Sequence, residues 1–181
     1  MVAVDLDLRR PALDRFFDVP QLPGVTDVAL GRLPLEDALV QIPLVQSDDL
    51  LADAASDVSP PGTLELLTAG SAVRNVGELV GSRALTDLLE DLHTRADMVL
   101  IDGPPLLGAG DGIALISRVE ALVLATRLNE LRRPILEEVQ PLVENAHTVR
   151  LGFVATGAPF DGSYVRVPVP GAGSYAEVGG D

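Results

Sequence analysis

Short apolar runs and amphipathic segments alternate along this chain, and their pattern predicts its secondary structure. Three apolar runs, residues 98–101, 121–125 and 151–155, are continuous rather than interrupted by polar residues. Continuous runs are typical of parallel strands that are covered on both faces. Residues 2–4 and 64–67 supply two more candidate strands. The pattern therefore predicts a sheet of about five strands.

Helical periodicity is clearest over residues 82–93, where leucines recur with the spacing of one helix face. Ser82 precedes them as a candidate N-cap. Residues 133–145 predict a second long helix that Pro141 interrupts with a kink. Shorter helices are expected over residues 25–30, 35–39 and 111–119. Because strands and helices alternate, we expect a doubly wound α/β fold with a parallel sheet.

The length of the chain fits one folded domain. It has 181 residues, of which 47% are hydrophobic, so it can bury a substantial core. We predict a domain over residues 1–157 and a flexible, Gly/Pro-rich tail over residues 158–181, and we interpret the acidic segment 46–61 as a surface loop. No apolar run approaches the length of a membrane span.

Charge and composition narrow the possible chemistry. The formal net charge is −14, which disfavours nucleic acid and anionic lipid surfaces as partners. There is no cysteine, and every one of the 13 basic residues is arginine. Thiolate nucleophiles, cysteine-ligated metals and mechanisms that need a lysine are therefore excluded for this sequence.

Acidic residues follow two of the predicted strands. VAVDLDLRRP places Asp5 and Asp7 after the first strand, and MVLIDGPP places Asp102 after a later one. Taken singly, such residues are usually helix caps or loop acids. Together, at the carboxyl ends of parallel strands where α/β sheets bind ligands, they suit a hard cation such as Mg²⁺.

These motifs resemble those of a known family. DLDLRRP resembles the Walker A′ element, and VLIDGPP followed by Asp111 resembles the Walker B element, of bacterial tyrosine kinases of the capsule and exopolysaccharide type. The intervening segments, among them PGVTDVALGRLPLEDAL and LELLTAG, occur in the order typical of those kinases. The resemblance spans residues 2–157 and implies the MinD/ParA-like P-loop scaffold, an α/β fold with a three-layer, mostly parallel sheet of the P-loop NTPase type.

The resemblance also implies roles for individual residues. Asp7 would be a Mg²⁺ ligand, Asp5 would help to hold the metal and accept the tyrosine proton, and Asp102 would hold the metal through water. Arg9 and Pro104 would contact the ATP cofactor. The tail tyrosines Tyr164 and Tyr175 would be candidate phosphorylation sites.

One element of the family pattern is not found in this sequence. The family's glycine-rich P-loop, with its lysine, comes before Walker A′, and this sequence contains no lysine. We therefore expect a P-loop fold that lacks its first strand, either because the chain is a shortened form of a longer kinase or because a partner supplies the strand. An exposed apolar sheet edge should result.

The resemblance implies ATP and Mg²⁺ as cofactors and a membrane polysaccharide co-polymerase as activator. A homo-oligomer and a cytoplasmic location at the inner face of the plasma membrane are further expectations. The alternatives are a non-catalytic interaction module and a MinD/ParA-like ATPase. An aspartyl phosphatase and a response-regulator receiver are less compatible, since the residues that follow DLD do not match the first and the second needs a lysine.

Overall fold

A computed structural model describes residues 1–43, 63–108, 110–128, 130, 132–146 and 148–157. They form six strands, β1 (Val2–Asp5), β2 (Val40–Ile42), β3 (Leu64–Leu67), β4 (Val99–Asp102), β5 (Ala121–Arg127) and β6 (Val149–Thr156). Seven helices accompany them, α1 (Leu13–Phe17), α2 (Val25–Ala29), α3 (Leu35–Ala38), α4 (Val76–Val80), α5 (Arg83–Arg95), α6 (Asp111–Ile116) and α7 (Arg133–Glu144). The predicted segment 46–61 and the tail 158–181 lie outside the described residues.

The strands form one sheet of four and one of two. The larger sheet has the order β2-β3-β1-β4, in which β1 is parallel to both of its neighbours and only β2 is antiparallel. The smaller sheet pairs β5 with β6 in parallel. The predicted α/β fold with a mostly parallel sheet is therefore confirmed, and all five predicted strands are present. They are divided between two sheets, however, and do not form the one sheet of about five strands that the sequence predicts.

The core lies on both faces of the larger sheet. Val2, Val4 and Leu6 point into a large cluster with helices α2 to α6, while Ala3 belongs to a smaller cluster that includes Leu13 of α1. This alternation follows from the two-residue period of a strand. Helices α2 to α6 therefore pack on one face of the sheet, and α1 packs on the other face at β1 and β3, which gives three layers.

Helix α5 begins and ends with specific polar contacts. The Ser82 hydroxyl accepts a hydrogen bond from the Leu85 amide at 3.2 Å, which confirms the predicted N-cap. At the other end, Arg95 donates two hydrogen bonds to the Glu65 carboxylate on β3, at 2.8 and 3.0 Å. Between them Leu85 and Leu92 are fully buried, each worth roughly 1.5–3 kcal/mol of hydrophobic stabilisation.

Three elements of the structure are not predicted from the sequence, namely strand β2 and helices α1 and α4. Helix α7 runs continuously through Pro141, so this proline does not end the helix, and the kink expected there stays a prediction. Pro141 lies in the last turn, where few hydrogen bonds remain to be lost.

Apolar side chains are exposed on β4 and on the smaller sheet. Leu100 of β4 is 59% exposed and Phe153 of β6 is 68% exposed. Within the described residues, β4 is hydrogen-bonded to β1 and β5 to β6. The prediction of an exposed apolar sheet edge agrees with these values. No described helix is long and apolar enough to cross a membrane.

A buried carboxylate connects α2 to the loop after β3. Asp27 accepts hydrogen bonds from the Ser71 hydroxyl at 2.6 Å, the Ser71 amide at 3.0 Å, the Gly24 amide at 3.2 Å and the Arg32 guanidinium at 2.7 Å. We call Asp27 and these three partners the Asp27 hub. Burial alone would raise the pKa of Asp27, but the hydrogen bonds from Ser71, Arg32 and Gly24 lower it below its ordinary value.

Candidate functional site

The carboxyl ends of β1 and β4 bring two of the predicted site residues together. Asp5 and Asp102 are direct register partners on these parallel strands, and the Leu6 amide donates to the Asp102 carbonyl at 2.8 Å. The sequence predicts that the acidic residues of these two strands lie close together at the carboxyl ends of the strands. The backbone pairing of Asp5 with Asp102 agrees with this prediction. This edge is where open α/β sheets bind ligands.

Asp5 is fully buried, and its two carboxylate oxygens have different surroundings. Oδ2 accepts hydrogen bonds from the amides of Ala12 and Leu13, at 2.8 and 3.0 Å, where α1 begins. Oδ1 is buried and has no hydrogen-bond partner in the described part of the chain. A buried carboxylate oxygen without a donor is costly, so Oδ1 is an acceptor that a cation or a proton would satisfy.

Asp7 and Asp102 complete the acidic group. The Oδ1 atom of Asp7 accepts a hydrogen bond from the Arg10 amide at 3.0 Å, which holds the Asp7 side chain over its own loop. Burial, together with the negative charges of Asp5 and Asp7, raises the pKa of Asp102. Asp102 therefore lies near enough to Asp5 and Asp7 to be affected by their negative charges.

The acidic group offers only a partial set of ligands for a metal ion. No set of three or more acidic or histidine side chains among the described residues is clustered closely enough to hold a metal by itself. Mg²⁺ ordinarily takes only one or two carboxylates and completes its shell with waters and phosphate oxygens. The orphaned Asp5 oxygen and the repulsion felt by Asp102 fit such a partial ligand set.

A cavity of about 290 Å³ adjoins Asp7. The loop after β1 forms one wall and the loop after β4 forms the other. Its lining residues are Asp7, Arg9, Arg10, Pro104, Pro105, Leu107, Gly108 and Asp111. Pro104, predicted as a cofactor contact, thus lies at the same cavity as Asp7 and Arg9.

Arg9 does not point freely into this cavity. Its Nε atom donates a hydrogen bond to Oδ2 of Asp111 at 2.6 Å. This contact and the nearby charges of Asp111 and Asp7 raise the pKa of Arg9. The sequence places Asp111 in a motif but indicates no role for it, because a linear pattern does not show that Asp111 pairs with Arg9, 102 positions earlier.

The predicted phosphorylation sites Tyr164 and Tyr175 lie outside the described residues.

Comparison with known proteins shows which proteins the chain is similar to. No family model matches the chain. It is 29% identical over 136 residues to the tyrosine-protein kinase ptk of Acinetobacter johnsonii, a match that covers 72% of this chain. It also superimposes on the crystal structure of the VpsO kinase domain with a TM-score of 0.70 and 29% identity, covering 87% of this chain and 70% of that one.

The chain is a relative of the bacterial tyrosine-protein kinases. The family resemblance inferred from its two acidic motifs is therefore confirmed. The cell division ATPase MinD of Pyrococcus furiosus has the same fold, with a TM-score of 0.58 and 23% identity over 85% of this chain. This P-loop ATPase likeness confirms the predicted fold type.

This kinase relative corresponds to only part of its curated relatives. The match covers 16% of the length of the Acinetobacter protein and 20% of the putative tyrosine-protein kinase EpsB of Ralstonia solanacearum, to which the chain is 26% identical. Activity, substrates and partners of those longer proteins are consequently matters of proposal for this chain.

Proposed function

We propose that this chain forms the Walker A′ and Walker B side of a tyrosine kinase domain of capsule or exopolysaccharide biosynthesis. In this role Asp7, Asp102 and Asp5 hold Mg²⁺, Arg9 and Pro104 lie beside the nucleotide, and Asp5 accepts the tyrosine proton. The metal, when bound, would neutralise phosphate charge, since phosphoryl transfer depends mainly on positioning and electrostatic stabilisation.

One observation carries the proposal. Asp5 and Asp102 lie side by side at the ligand-binding edge of the sheet, and a buried Asp5 oxygen has no donor within the described residues. Structural carboxylates normally have their oxygens satisfied. The unsatisfied oxygen beside two like charges supports a site that a cation completes.

The first test is cation binding by the chain itself. We expect Mn²⁺, used as a spectroscopic substitute for Mg²⁺, to bind, and Asp7→Asn or Asp102→Asn to weaken its affinity roughly tenfold or more. Electron paramagnetic resonance of free Mn²⁺ gives the affinity. Asp97→Asn, an exposed residue before β4, is the matched control and should change it little. Equal affinities in all variants would argue against the site.

Removal of the Asp102 charge should stabilise the metal-free chain. Because its pKa is raised, the folded state binds the proton more tightly than the unfolded state does. The resulting destabilisation is absent below the unfolded pKa and grows as pH rises through the folded pKa. We therefore expect a higher melting temperature for Asp102→Asn than for the parent at neutral pH, and no difference in acid. A lower melting temperature at neutral pH would contradict this reading.

Nucleotide affinity of these 181 residues should be weak. The sequence supplies no lysine for the β and γ phosphates, and the cavity carries two carboxylates, Asp7 and Asp111. Backbone N–H cradles and a lysine normally provide much of the hold on phosphates in P-loop proteins. We expect calorimetric titration with ATP and Mg²⁺ to show no binding in the micromolar range. Micromolar affinity would show that other residues bind the phosphates.

Transfer of the γ-phosphate tests the kinase proposal as a whole. The protein purified from the organism that makes it should phosphorylate tyrosine in the presence of ATP and Mg²⁺, and Asp7→Asn should abolish the transfer. Mass spectrometry would show whether Tyr164 and Tyr175 are modified. Cation binding without any transfer by that protein would favour the second candidate function.

That second candidate is a non-catalytic interaction module. The pairing of Arg9 with Asp111 and the lack of lysine in the sequence favour it, because both reduce the positive charge available to phosphates. In either case we propose that the partner is a membrane polysaccharide co-polymerase, which would place the chain at the inner face of the plasma membrane, and that homo-oligomers form. Co-purification with that membrane protein would test the partner.

A further inference from the structure

An ion pair joins the loop after β1 to the start of α6, which follows the loop after β4. Arg9 belongs to the loop after β1, two residues beyond Asp7, and Asp111 is the first residue of α6, after the loop that follows β4. Both residues line the cavity, and the distance from Nε of Arg9 to Oδ2 of Asp111 is 2.6 Å. The pair thus connects the loop of Asp7 with the loop that follows Asp102.

Burial makes this contact stronger than an ordinary surface ion pair. The Asp111 side chain is only 4% exposed, whereas that of Arg9 is 48% exposed. Helix α4 packs near it, since a Cβ added to Gly77 would lie 3.4 Å from Oδ1 of Asp111. Loss of the partner of a buried carboxylate costs far more than loss of an exposed ion pair, so Asp111 holds Arg9 firmly.

The position of Arg9 determines the position of Asp7 through the backbone. Between them lies only Leu8, and the next residue, Arg10, donates its amide both to the carbonyl and to the Oδ1 of Asp7, each at 3.0 Å. An anchored Arg9 therefore stabilises the turn that fixes the Asp7 carboxylate. The guanidinium is used in this contact rather than left available for phosphate.

We propose that Arg9 and Asp111 are positioning residues whose ion pair fixes the Asp7 loop against the loop after β4 in the orientation that binds a divalent cation. The inference rests on the proposed function and assigns Asp111 a role in it. The residues act through Asp7 and do not themselves bind the metal.

A double substitution with unchanged net charge tests this inference. Arg9→Met with Asp111→Leu removes one positive and one negative charge, so a change in cation affinity reports geometry rather than charge. We expect Mn²⁺ affinity to fall roughly tenfold. We also expect hydrogen exchange of the Arg10 amide, followed by NMR without metal, to become roughly tenfold faster or more.

The matched control removes another arginine–carboxylate pair. Arg95→Met with Glu65→Leu eliminates the two hydrogen bonds between α5 and β3. Glu65 lies near Met1, to whose carbonyl its amide donates, and therefore at the end of β1 opposite to Asp5. This control should lower the unfolding free energy while leaving Mn²⁺ affinity and Arg10 exchange unchanged.

The outcomes separate this inference from the proposed function. Parent-like Mn²⁺ affinity and Arg10 exchange in the Arg9/Asp111 double variant would overturn the inference and leave the metal site standing. A parent chain that binds no Mn²⁺ would overturn the proposed site and the inference with it. Should the double variant not fold, Arg9→Lys, which keeps the charge but not the Nε donor, should show both changes in the same direction, and a parent-like result would again overturn the inference.

Discussion

Alanine at position 24 is expected to unfold this chain or to destabilise it by about 4 kcal/mol or more, an exceptional loss for one methyl group. A Cβ at Gly24 would collide with the Thr68 carbonyl oxygen and the Gly70 amide nitrogen. Both are backbone atoms, and the Thr68 carbonyl also accepts the Val25 amide at 2.8 Å, where α2 begins. Neither atom can move without breaking the junction between α2 and the loop after β3.

We also expect Gly70→Ala to destabilise the chain strongly. Gly70 has a φ of +82°, which side chains rarely adopt, and its Cβ would lie 2.6 Å from Oδ2 of Asp27. Urea unfolding followed by circular dichroism measures both variants. Gly103→Ala is the control, since nothing lies within 4 Å of its Cβ; it should change the unfolding free energy by no more than about 0.5 kcal/mol. Parent-like stability of Gly24→Ala would show that the two segments are not packed this closely.

Loss of the Asp27 carboxylate should have the second largest effect. Asp27→Ala leaves the Ser71 hydroxyl and the amides of Gly24 and Ser71 without their acceptor, and we expect a loss of roughly 3–5 kcal/mol at neutral pH. Arg32→Ala removes only the half-exposed cation of the hub and should cost much less. Equal losses in the two variants would mean that the ion pair, rather than the amide and hydroxyl contacts, stabilises the hub.

The Asp27 effect should also depend on pH in a defined direction. Its folded pKa lies below the ordinary value, so the stabilisation by its charge is complete above the unfolded pKa of about 3.9. It is lost as pH falls through the folded pKa. The difference in unfolding free energy between parent and Asp27→Ala should therefore narrow in acid. A difference that widens in acid would contradict the lowered pKa.

The two stability predictions concern a different part of the chain from the acidic site. Both concern the junction of α2 with the loop after β3, whereas the acidic site lies at the ends of β1 and β4. Stability measurements at the Asp27 hub and cation binding at Asp7 therefore test separate properties of one chain.

The strands and long helices could be predicted from the sequence because each depends on local pattern. Short apolar runs predicted β1, β4, β5 and β6, the largely apolar segment 64–67 predicted β3, and the leucine spacing with Ser82 predicted α5. The acidic motifs, together with the order of the segments between them, indicated the family, which the comparisons confirm. These features need only neighbouring residues, so a linear reading recovers them.

Contacts between distant residues were decided by the tertiary structure alone. The pairing of Arg9 with Asp111, the acceptors around Asp27 and the different surroundings of the two Asp5 oxygens join segments far apart in the chain. Strand β2 pairs with β3 in antiparallel register, a contact between segments that are distant in the sequence. The sequence thus determined which chemical groups lie at the carboxyl ends of the strands. Packing decided which of these groups are held in place, buried or left with an unsatisfied oxygen. The reason is that burial and hydrogen bonding depend on neighbours that a linear pattern does not specify.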